Sequence, residues 1–303
     1  MNVEAIANEV APSVVAVQLD LVRNGQTGEA IGTGLIVTAD GEIVTNAHVV
    51  GDAQTVRVRL NGESEPRDAA VIAVDSSRDL ALLRVDADGL SPAAFAAPDD
   101  VRLGDQVLAI GYALDLDGDP TITLGIVSSL DRTLATETGS LKGLIQTDAA
   151  VSSGNSGGPL VNAVGDVAGL ITLASSSGLG STANGLGFAI STSELLPTLD
   201  RLRAQANGDT VESGYLGVQV DRRTDGGSGA LVTEVVAGSA AAKAGIEEGD
   251  VVLAVDGEPI SGQAALVATI RDLAPGDKAT VSLVRDGSPL DVTVELDQCP
   301  PDS

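Results

Sequence analysis

The sequence predicts a mainly β fold, an all-β sandwich or barrel, followed by a small α+β module, and three observations carry that expectation. Short Val/Ile/Leu-rich runs recur about every ten residues from Ser13 to about Ile190, divided by Gly, Asn, Asp and Pro. The period then changes: in the stretch Ser193 to Arg203 the leucines fall three and four apart, as on one helix face, and the polar Asn207-Gly208-Asp209 follows. Finally, 303 residues exceed what one hydrophobic core usually organises. The expected division is a first domain over 1–205, a linker over 206–213 and a second domain over 214–303.

In the first domain, strands are expected at Ser13 to Val17, Gly34 to Val37, Thr55 to Leu60, Leu80 to Val85 and Gln106 to Ile110. The stretch Ala174 to Ser181 reads as a flexible Ser/Gly loop. The second domain mixes strands (Leu231 to Val236, Asp250 to Val255, Lys278 to Arg285, Leu290 to Leu296) with two short helices. One runs from Ser239 to Ala244 and ends at Gly245; the other runs from Gln263 to Leu273 and ends before Pro275-Gly276.

Composition removes several classes of function. Asp+Glu 43 against Lys+Arg 17 leaves a net charge of −26. That field repels phosphate backbones and anionic lipid heads, so nucleic acid is excluded as a partner and neutral or basic partners are expected. One cysteine, Cys299, and one histidine, His48, cannot make an intramolecular disulfide or a His/Cys zinc site. No P-loop is present, so ATP-driven unfolding is excluded, and neither cofactor nor metal is expected. Asp115, Asp117 and Asp119 have the look of a calcium loop, but its sixth and twelfth positions are Pro120 and Ile126, so a solvated turn is the reading. The start, Met1-Asn2-Val3-Glu4, has no basic region leading into an apolar stretch, and no apolar run is long enough to span a bilayer; a soluble chain is expected.

The strongest chemical signal is Gly154-Asn155-Ser156-Gly157-Gly158-Pro159. Glycines around a serine allow a tight turn that exposes its hydroxyl and gathers backbone N–H groups, which builds a nucleophile and an oxyanion hole together. The string also fits the nucleophile elbow of α/β-hydrolases, but there the histidine follows the serine, whereas His48 precedes it. A third member must be a carboxylate able to orient the imidazole. Asp79 leads directly into the apolar Leu80-Ala81-Leu82-Leu83, whereas most other acids between 48 and 156 lie among turn residues or other charges.

Thr45-Asn46-Ala47-His48-Val49-Val50, Arg78-Asp79-Leu80-Ala81-Leu82-Leu83, Gly125-Ile126-Val127-Ser128, Gln146-Thr147-Asp148-Ala149-Ala150, Gly154-Asn155-Ser156-Gly157-Gly158-Pro159-Leu160 and Gly187-Phe188-Ala189-Ile190 together closely resemble the HtrA (Deg) family of trypsin-like serine proteases. The resemblance implies a chymotrypsin-like double β-barrel, His48, Asp79 and Ser156 as a triad, and the amides of Gly154, Asn155 and Ser156 as the oxyanion hole. It further suggests that Ala150, Val151 and Leu186 shape the pocket beside the serine and that Thr172, Leu173 and Ala174 form the strand that pairs with substrate. Ala150 stands where proteases of basic specificity carry an acid, so small aliphatic residues should be preferred before the cut. The segment from Gly111 to Pro120 departs from the short Gly-Asn-Pro turn that the family more often shows.

In the C-terminal part, Gly214-Tyr215-Leu216-Gly217-Val218, Ala244-Gly245-Ile246-Glu247-Glu248-Gly249-Asp250-Val251-Val252 and Val255-Asp256-Gly257-Glu258-Pro259-Ile260 are similar to bacterial PDZ domains. In that reading Tyr215, Leu216, Gly217 and Val218 offer N–H groups to a peptide carboxylate beside an open strand edge. The expected function is an ATP-independent serine endopeptidase acting on unfolded or misfolded proteins, with peptide C-termini bound by the PDZ domain. The rival is a PDZ-bearing chaperone or binding protein with a silent protease domain, which has no reason to retain an intact triad. The resemblance also implies a homotrimer and an extracytoplasmic location, periplasmic or cell-envelope.

Overall fold

The computed structural model describes residues 1–23, 26–51, 53–112, 118–136, 139–172, 186–209, 213–223 and 225–298. The chain divides into two compact units, Met1–Asp209 and Thr210–Ser303. The first opens with α1 (Val3–Val10), capped by Asn2 accepting from the Ala5 amide at 3.2 Å and burying Ile6, Ala7 and Val10. That helix was not expected from the sequence. Its apolar residues Val3, Ile6, Ala7 and Val10 nevertheless fall at i, i+3, i+4 and i+7, the spacing of one helix face.

Six strands follow: β1 (Val14–Arg23), β2 (Gln26–Ile36), β3 (Glu42–Thr45), β4 (Thr55–Arg59), β5 (Arg67–Asp75) and β6 (Leu80–Val85), with a single helical turn, α2 (Ala47–Val50), after β3. They close into a barrel in the order β1-β2-β3-β6-β5-β4. Six more, β7 (Gln106–Gly111), β8 (Thr121–Thr136), β9 (Gly139–Thr147), β10 (Pro159–Val161), β11 (Val167–Thr172) and β12 (Gly187–Ser191), close a second barrel with the same topology. Helix α3 (Thr192–Ala206) follows directly.

The continuous apolar runs have a simple cause, since alternate residues of a strand face opposite sides and here both sides are covered. Val15, Val17, Ala81 and Leu83 fill the first barrel. Val107, Ala109, Leu160 and Ile171 fill the second. Their neighbours Val14, Ala16, Leu80, Leu82, Leu108, Ile110 and Leu170 form one continuous core outside the barrels, which Leu195, Leu199 and Leu202 of α3 join. Each such leucine contributes roughly 1.5–3 kcal/mol by leaving water. Near its C-terminus α3 is tied to β3 and β6 through Glu42, which accepts from Arg203 Nε and Arg84 Nη2, both at 2.9 Å.

The second unit is an α+β sheet in the order β14 (Val218–Arg222), β15 (Ala230–Val235), β16 (Val251–Val255), β18 (Lys278–Arg285), β19 (Ser288–Glu295), preceded by β13 (Gly214–Tyr215). A short strand, β17 (Glu258–Pro259), pairs with β16, and β13 pairs with β20 (Asp297–Gln298). Helices α4 (Ala240–Ala244) and α5 (Gln263–Asp272) pack against its core through Ala240, Ala241, Leu266 and Ile270. Asp250, 1 % exposed, accepts from Arg285 Nε and Nη2, both at 2.8 Å, and from the Glu247 amide at 2.9 Å. Burial pushes its carboxyl up, but the Arg285 hydrogen bonds and charge and the Glu247 amide outweigh burial and hold it below the ordinary 3.8. Asp250→Ala should therefore destabilise this unit by about 1.5–3 kcal/mol, the range for hydrogen bonds to a charged group. Because the folded form holds the carboxyl low, unfolding takes up a proton in acid. The contribution is intact above about pH 4 and lost as the pH falls below it. Thermal melts of wild type and variant should differ at pH 7 and converge toward pH 2.

Candidate active site

Three short segments deliver the expected triad. His48 is the second residue of α2, immediately after β3 and Asn46. Asp79 stands just before β6 in the left-handed region, with φ 56°, a conformation Asp tolerates better than most residues. The turn that puts it there is built by Asp75. That side chain accepts from Ser77 N–H (3.0 Å), Ser77 Oγ (2.6 Å), Arg78 N–H (3.1 Å) and Arg78 Nη1 (2.6 Å). Burial pushes the Asp75 carboxyl up, yet these donors hold it below its usual range, so the turn is braced by a carboxylate at neutral pH.

His48 Nδ1 lies 2.8 Å from both carboxylate oxygens of Asp79, and the His48 backbone N–H donates to Oδ1 at 2.9 Å. An ionised carboxylate only accepts, so Nδ1 carries the proton and a neutral imidazole presents its lone pair at Nε2. Thr172 Oγ1 donates to Asp79 Oδ2 at 2.8 Å, and Asn46 Nδ2 donates to the Asp79 carbonyl at 3.0 Å. The aspartate is 8 % exposed, and its partner imidazole is half-open to solvent.

Ser156 is buried before β10, and its Oγ has no hydrogen-bond partner among the described residues. No hydrogen bond therefore joins Ser156 Oγ to the His48 ring. The serine reaches the rest of the constellation through its neighbour: Gly157 N–H donates to the Ile171 carbonyl at 2.9 Å, and the next residue is the Thr172 that binds Asp79.

The loop around Ser156 is fixed peptide by peptide. Asn155 N–H closes a turn onto the Ser152 carbonyl at 3.1 Å, and Gly154, at its third position, has φ 98°, as a type II turn demands. The Gly154 carbonyl accepts from Thr33 Oγ1 at 2.6 Å, the Asn155 carbonyl from Gly158 N–H at 2.9 Å and the Ser156 carbonyl from Thr33 N–H at 2.9 Å. Of the N–H groups from 154 to 158, those of Gly154 and Ser156 alone have no acceptor among the described residues. Of the three amides expected to form an oxyanion hole, that of Asn155 is therefore engaged by the turn. Gly157 must be glycine for closeness, since a Cβ there would meet the Thr33 carbonyl oxygen at 2.0 Å.

Beside the loop, Ala150 is exposed and its carbonyl accepts from Thr123 Oγ1 at 2.8 Å. Val151 faces Gly187, where an added Cβ would lie 2.7 Å from Val151 Cγ2, and the preceding Leu186 is 44 % exposed. The nearest acid in sequence, Asp148, receives the Ile126 N–H at 2.7 Å. Thr172 ends β11. Leu173, Ala174 and the expected loop to Ser181 lie outside the described residues, as do Asp115, Asp117 and Cys299.

In the second unit β14 is an edge strand. Ahead of it, the Leu216 carbonyl accepts from Ala241 N–H at 2.8 Å and the Gly217 carbonyl from Val236 N–H at 2.9 Å. The Leu216 and Gly217 amides have no acceptor among the described residues. They open onto a groove of about 180 Å³ lined by Tyr215, Leu216, Val218, Leu266, Ile270 and Arg271.

Twin six-stranded barrels, with a histidine held by a buried aspartate on one and, on the other, a serine whose loop leaves its own amide and that of Gly154 unbonded among the described residues, define the trypsin-like class of serine peptidases. A trypsin-like peptidase domain matches over residues 32–170 and a PDZ domain over 214–296. The chain is 40% identical over 303 residues to the serine protease PepD of Mycobacterium tuberculosis, covering 93% of this chain and 62% of that one. It is 36% identical over 277 residues to the periplasmic serine endoprotease DegP of Escherichia coli, covering 89% and 57%. The chain thus spans less than two thirds of the length of these curated relatives. The crystal structure of the serine endoprotease from Yersinia pestis superposes with a TM-score of 0.71 at 30% identity, covering 99% of both chains. The HtrA-type protease AlgW with a tripeptide gives 0.76 at 30% identity, covering 99% and 98%. The chain belongs to the HtrA family of serine proteases, its trypsin-like domain followed by a PDZ domain.

Proposed function

We propose that this chain is an ATP-independent serine endopeptidase that cleaves unfolded or misfolded polypeptides. One observation carries the reading: Asp79 holds the His48 imidazole by Nδ1 at 2.8 Å, while the loop that carries Ser156 leaves the Gly154 and Ser156 amides without an acceptor among the described residues. In the mechanism, Ser156 Oγ attacks the peptide carbonyl as His48 Nε2 takes its proton, and Asp79 stabilises the resulting imidazolium. The Gly154 and Ser156 N–H groups receive the oxyanion. The imidazolium returns the proton to the leaving amine, and water, activated by the same nitrogen, hydrolyses the acyl-enzyme.

In this reading the protease domain occupies 1–205, the linker 206–213 and the PDZ domain 214–303. Ala150, Val151 and Leu186 shape a neutral pocket, and Thr172, Leu173 and Ala174 offer a strand to the substrate. The free amides of Leu216 and Gly217, with Tyr215 and Val218 around them, receive a peptide carboxylate as its strand joins the β14 edge. The protein works outside the cytoplasm, in the periplasm or cell envelope, as a homotrimer. The location is supported by relatives named as periplasmic endoproteases, and among the described residues no helix is long and apolar enough to cross a membrane.

Digestion of an unfolded protein, with cut sites mapped by mass spectrometry, tests the reading. Cuts should follow Val and Ala more often than Lys or Arg, because a basic side chain finds no counter-charge at Ala150 and a buried unpaired charge costs several kcal/mol. Preferences among aliphatic residues should be modest, about 1–3 kcal/mol per methylene. A majority of cuts after Lys or Arg would overturn the pocket assignment, and no cutting would overturn the function. Substrates with a free apolar C-terminus should be cleaved faster than their C-terminally amidated twins; equal rates would remove the PDZ carboxylate site.

A further inference from the structure

We infer that Thr33, on β2 of the first barrel, is the positioning residue that holds the oxyanion loop of the second barrel in its receptive form; the inference rests on the protease reading above. Thr33 is fully buried and meets the loop at three points. Its N–H donates to the Ser156 carbonyl at 2.9 Å, its Oγ1 donates to the Gly154 carbonyl at 2.6 Å, and its own carbonyl is where a Cβ on Gly157 would strike, at 2.0 Å. The hydroxyl orientation is not free. The Gly154 carbonyl can only accept and the Tyr112 N–H, 2.9 Å away, can only donate, so Oγ1 gives its hydrogen to the loop and takes one from Tyr112. The carbonyl of Thr33 is fixed in turn by Thr45 Oγ1 at 2.7 Å, three residues before His48.

The peptide joining Gly154 to Asn155 is consequently held at both ends, its carbonyl by Thr33 and its N–H by Ser152. With that plane fixed and the Ser156 carbonyl fixed as well, the Gly154 and Ser156 amides stay free on either side of it. Removing the Thr33 hydroxyl leaves the part-buried Gly154 carbonyl and the buried Tyr112 N–H without their partner, and turning the loop would let the carbonyl find another. Thr33 touches no reacting atom, so its effect passes through the two amides.

The test compares wild type with Thr33→Ser, Thr33→Val and the smaller Thr33→Ala in hydrolysis of a short chromogenic peptide, with melting curves alongside. Loss of one oxyanion donor lowers kcat by about 10²–10³-fold, so loosening the loop that carries both should lower kcat by about 10–100-fold in Thr33→Val and Thr33→Ala. KM should stay within about twofold, and the pH dependence of kcat should not change. A peptide aldehyde inhibitor, which forms an oxyanion in the site, should weaken in parallel with kcat. Thr33→Ser keeps the hydroxyl and should stay within about threefold of wild type. The role is overturned if Thr33→Val or Thr33→Ala keeps wild-type kcat, if the loss falls on KM, or if folded Thr33→Ser is as impaired as the others. Wild-type protein without turnover that depends on Ser156 would sink the protease reading itself, and the Thr33 role with it.

Discussion

Ser156→Ala is expected to lower hydrolysis of an unfolded protein by about 10⁴-fold or more while leaving the melting temperature within about 1 °C of wild type. The first number follows from triad members acting as a unit, so that loss of the nucleophile forfeits all covalent catalysis and leaves the residual effect of binding and the oxyanion hole. The second follows from this structure. Ser156 Oγ makes no hydrogen bond among the described residues, so its removal strands no partner, and alanine fits where serine stood. A substitution that abolishes activity and costs no stability separates a catalytic hydroxyl from a structural one. Retained activity would assign the nucleophile elsewhere, and a large fall in melting temperature would mean that the hydroxyl is bonded after all. Steady-state kinetics and calorimetry on the same preparation decide both points.

How much of this site the sequence carried depends on how local each signal is. His48, Asp79 and Ser156 each sit in a short string with few alternative meanings, and chain order alone separates this arrangement from the α/β-hydrolase one. The two-barrel body was legible as regularly spaced apolar runs, but not the reason the runs are continuous. Leu80 and Leu82 face one core while Ala81 and Leu83 face another, which no strand reveals alone. The glycine-rich string promised clustered amides without saying which stay free. That is decided by the turn that consumes Asn155 N–H and by Thr33, 121 residues away from Gly154 in the chain. The contacts of Thr33 and Asn46 escaped notice, as did the bond from Thr172, expected only as part of a substrate strand, to Asp79, because each is an ordinary polar residue in or beside a strand. Only the meeting of the two barrels gives Thr33 and Thr172 their partners, and the trace of Thr33 in the sequence is its place between Gly32 and Gly34, which give the chain room around it. The N-terminal helix α1 was legible in the spacing of Val3, Ile6, Ala7 and Val10, a helical period only two turns long.

Asp79→Asn is the second substitution with a large expected effect, a fall in kcat of about 10⁴-fold at neutral pH. The Asp79 carboxylate accepts from three donors: His48 Nδ1, the His48 backbone N–H and Thr172 Oγ1. An amide has one oxygen for these, and its NH₂ faces a neighbour that also has a hydrogen to give. The imidazole relieves the clash by moving its proton to Nε2, which leaves the lone pair on Nδ1, turned away from the serine. No general base then faces Ser156, and the imidazolium of the transition state loses its counter-charge. Asparagine is also the substitution that the backbone best accepts here, because the φ of 56° at position 79 is one that Asn adopts readily, whereas Asp79→Ala would add strain to the loss of charge. The Asn variant should therefore fold, keep the Asn46 contact to the residue-79 carbonyl and bind substrate with little change in KM, so that the loss falls on kcat. An Asn variant within tenfold of wild type would remove Asp79 from the mechanism. The activity lost at neutral pH should return in part in strongly alkaline solution, where a bound hydroxide can stand in for the missing base, and no such recovery is expected for Ser156→Ala.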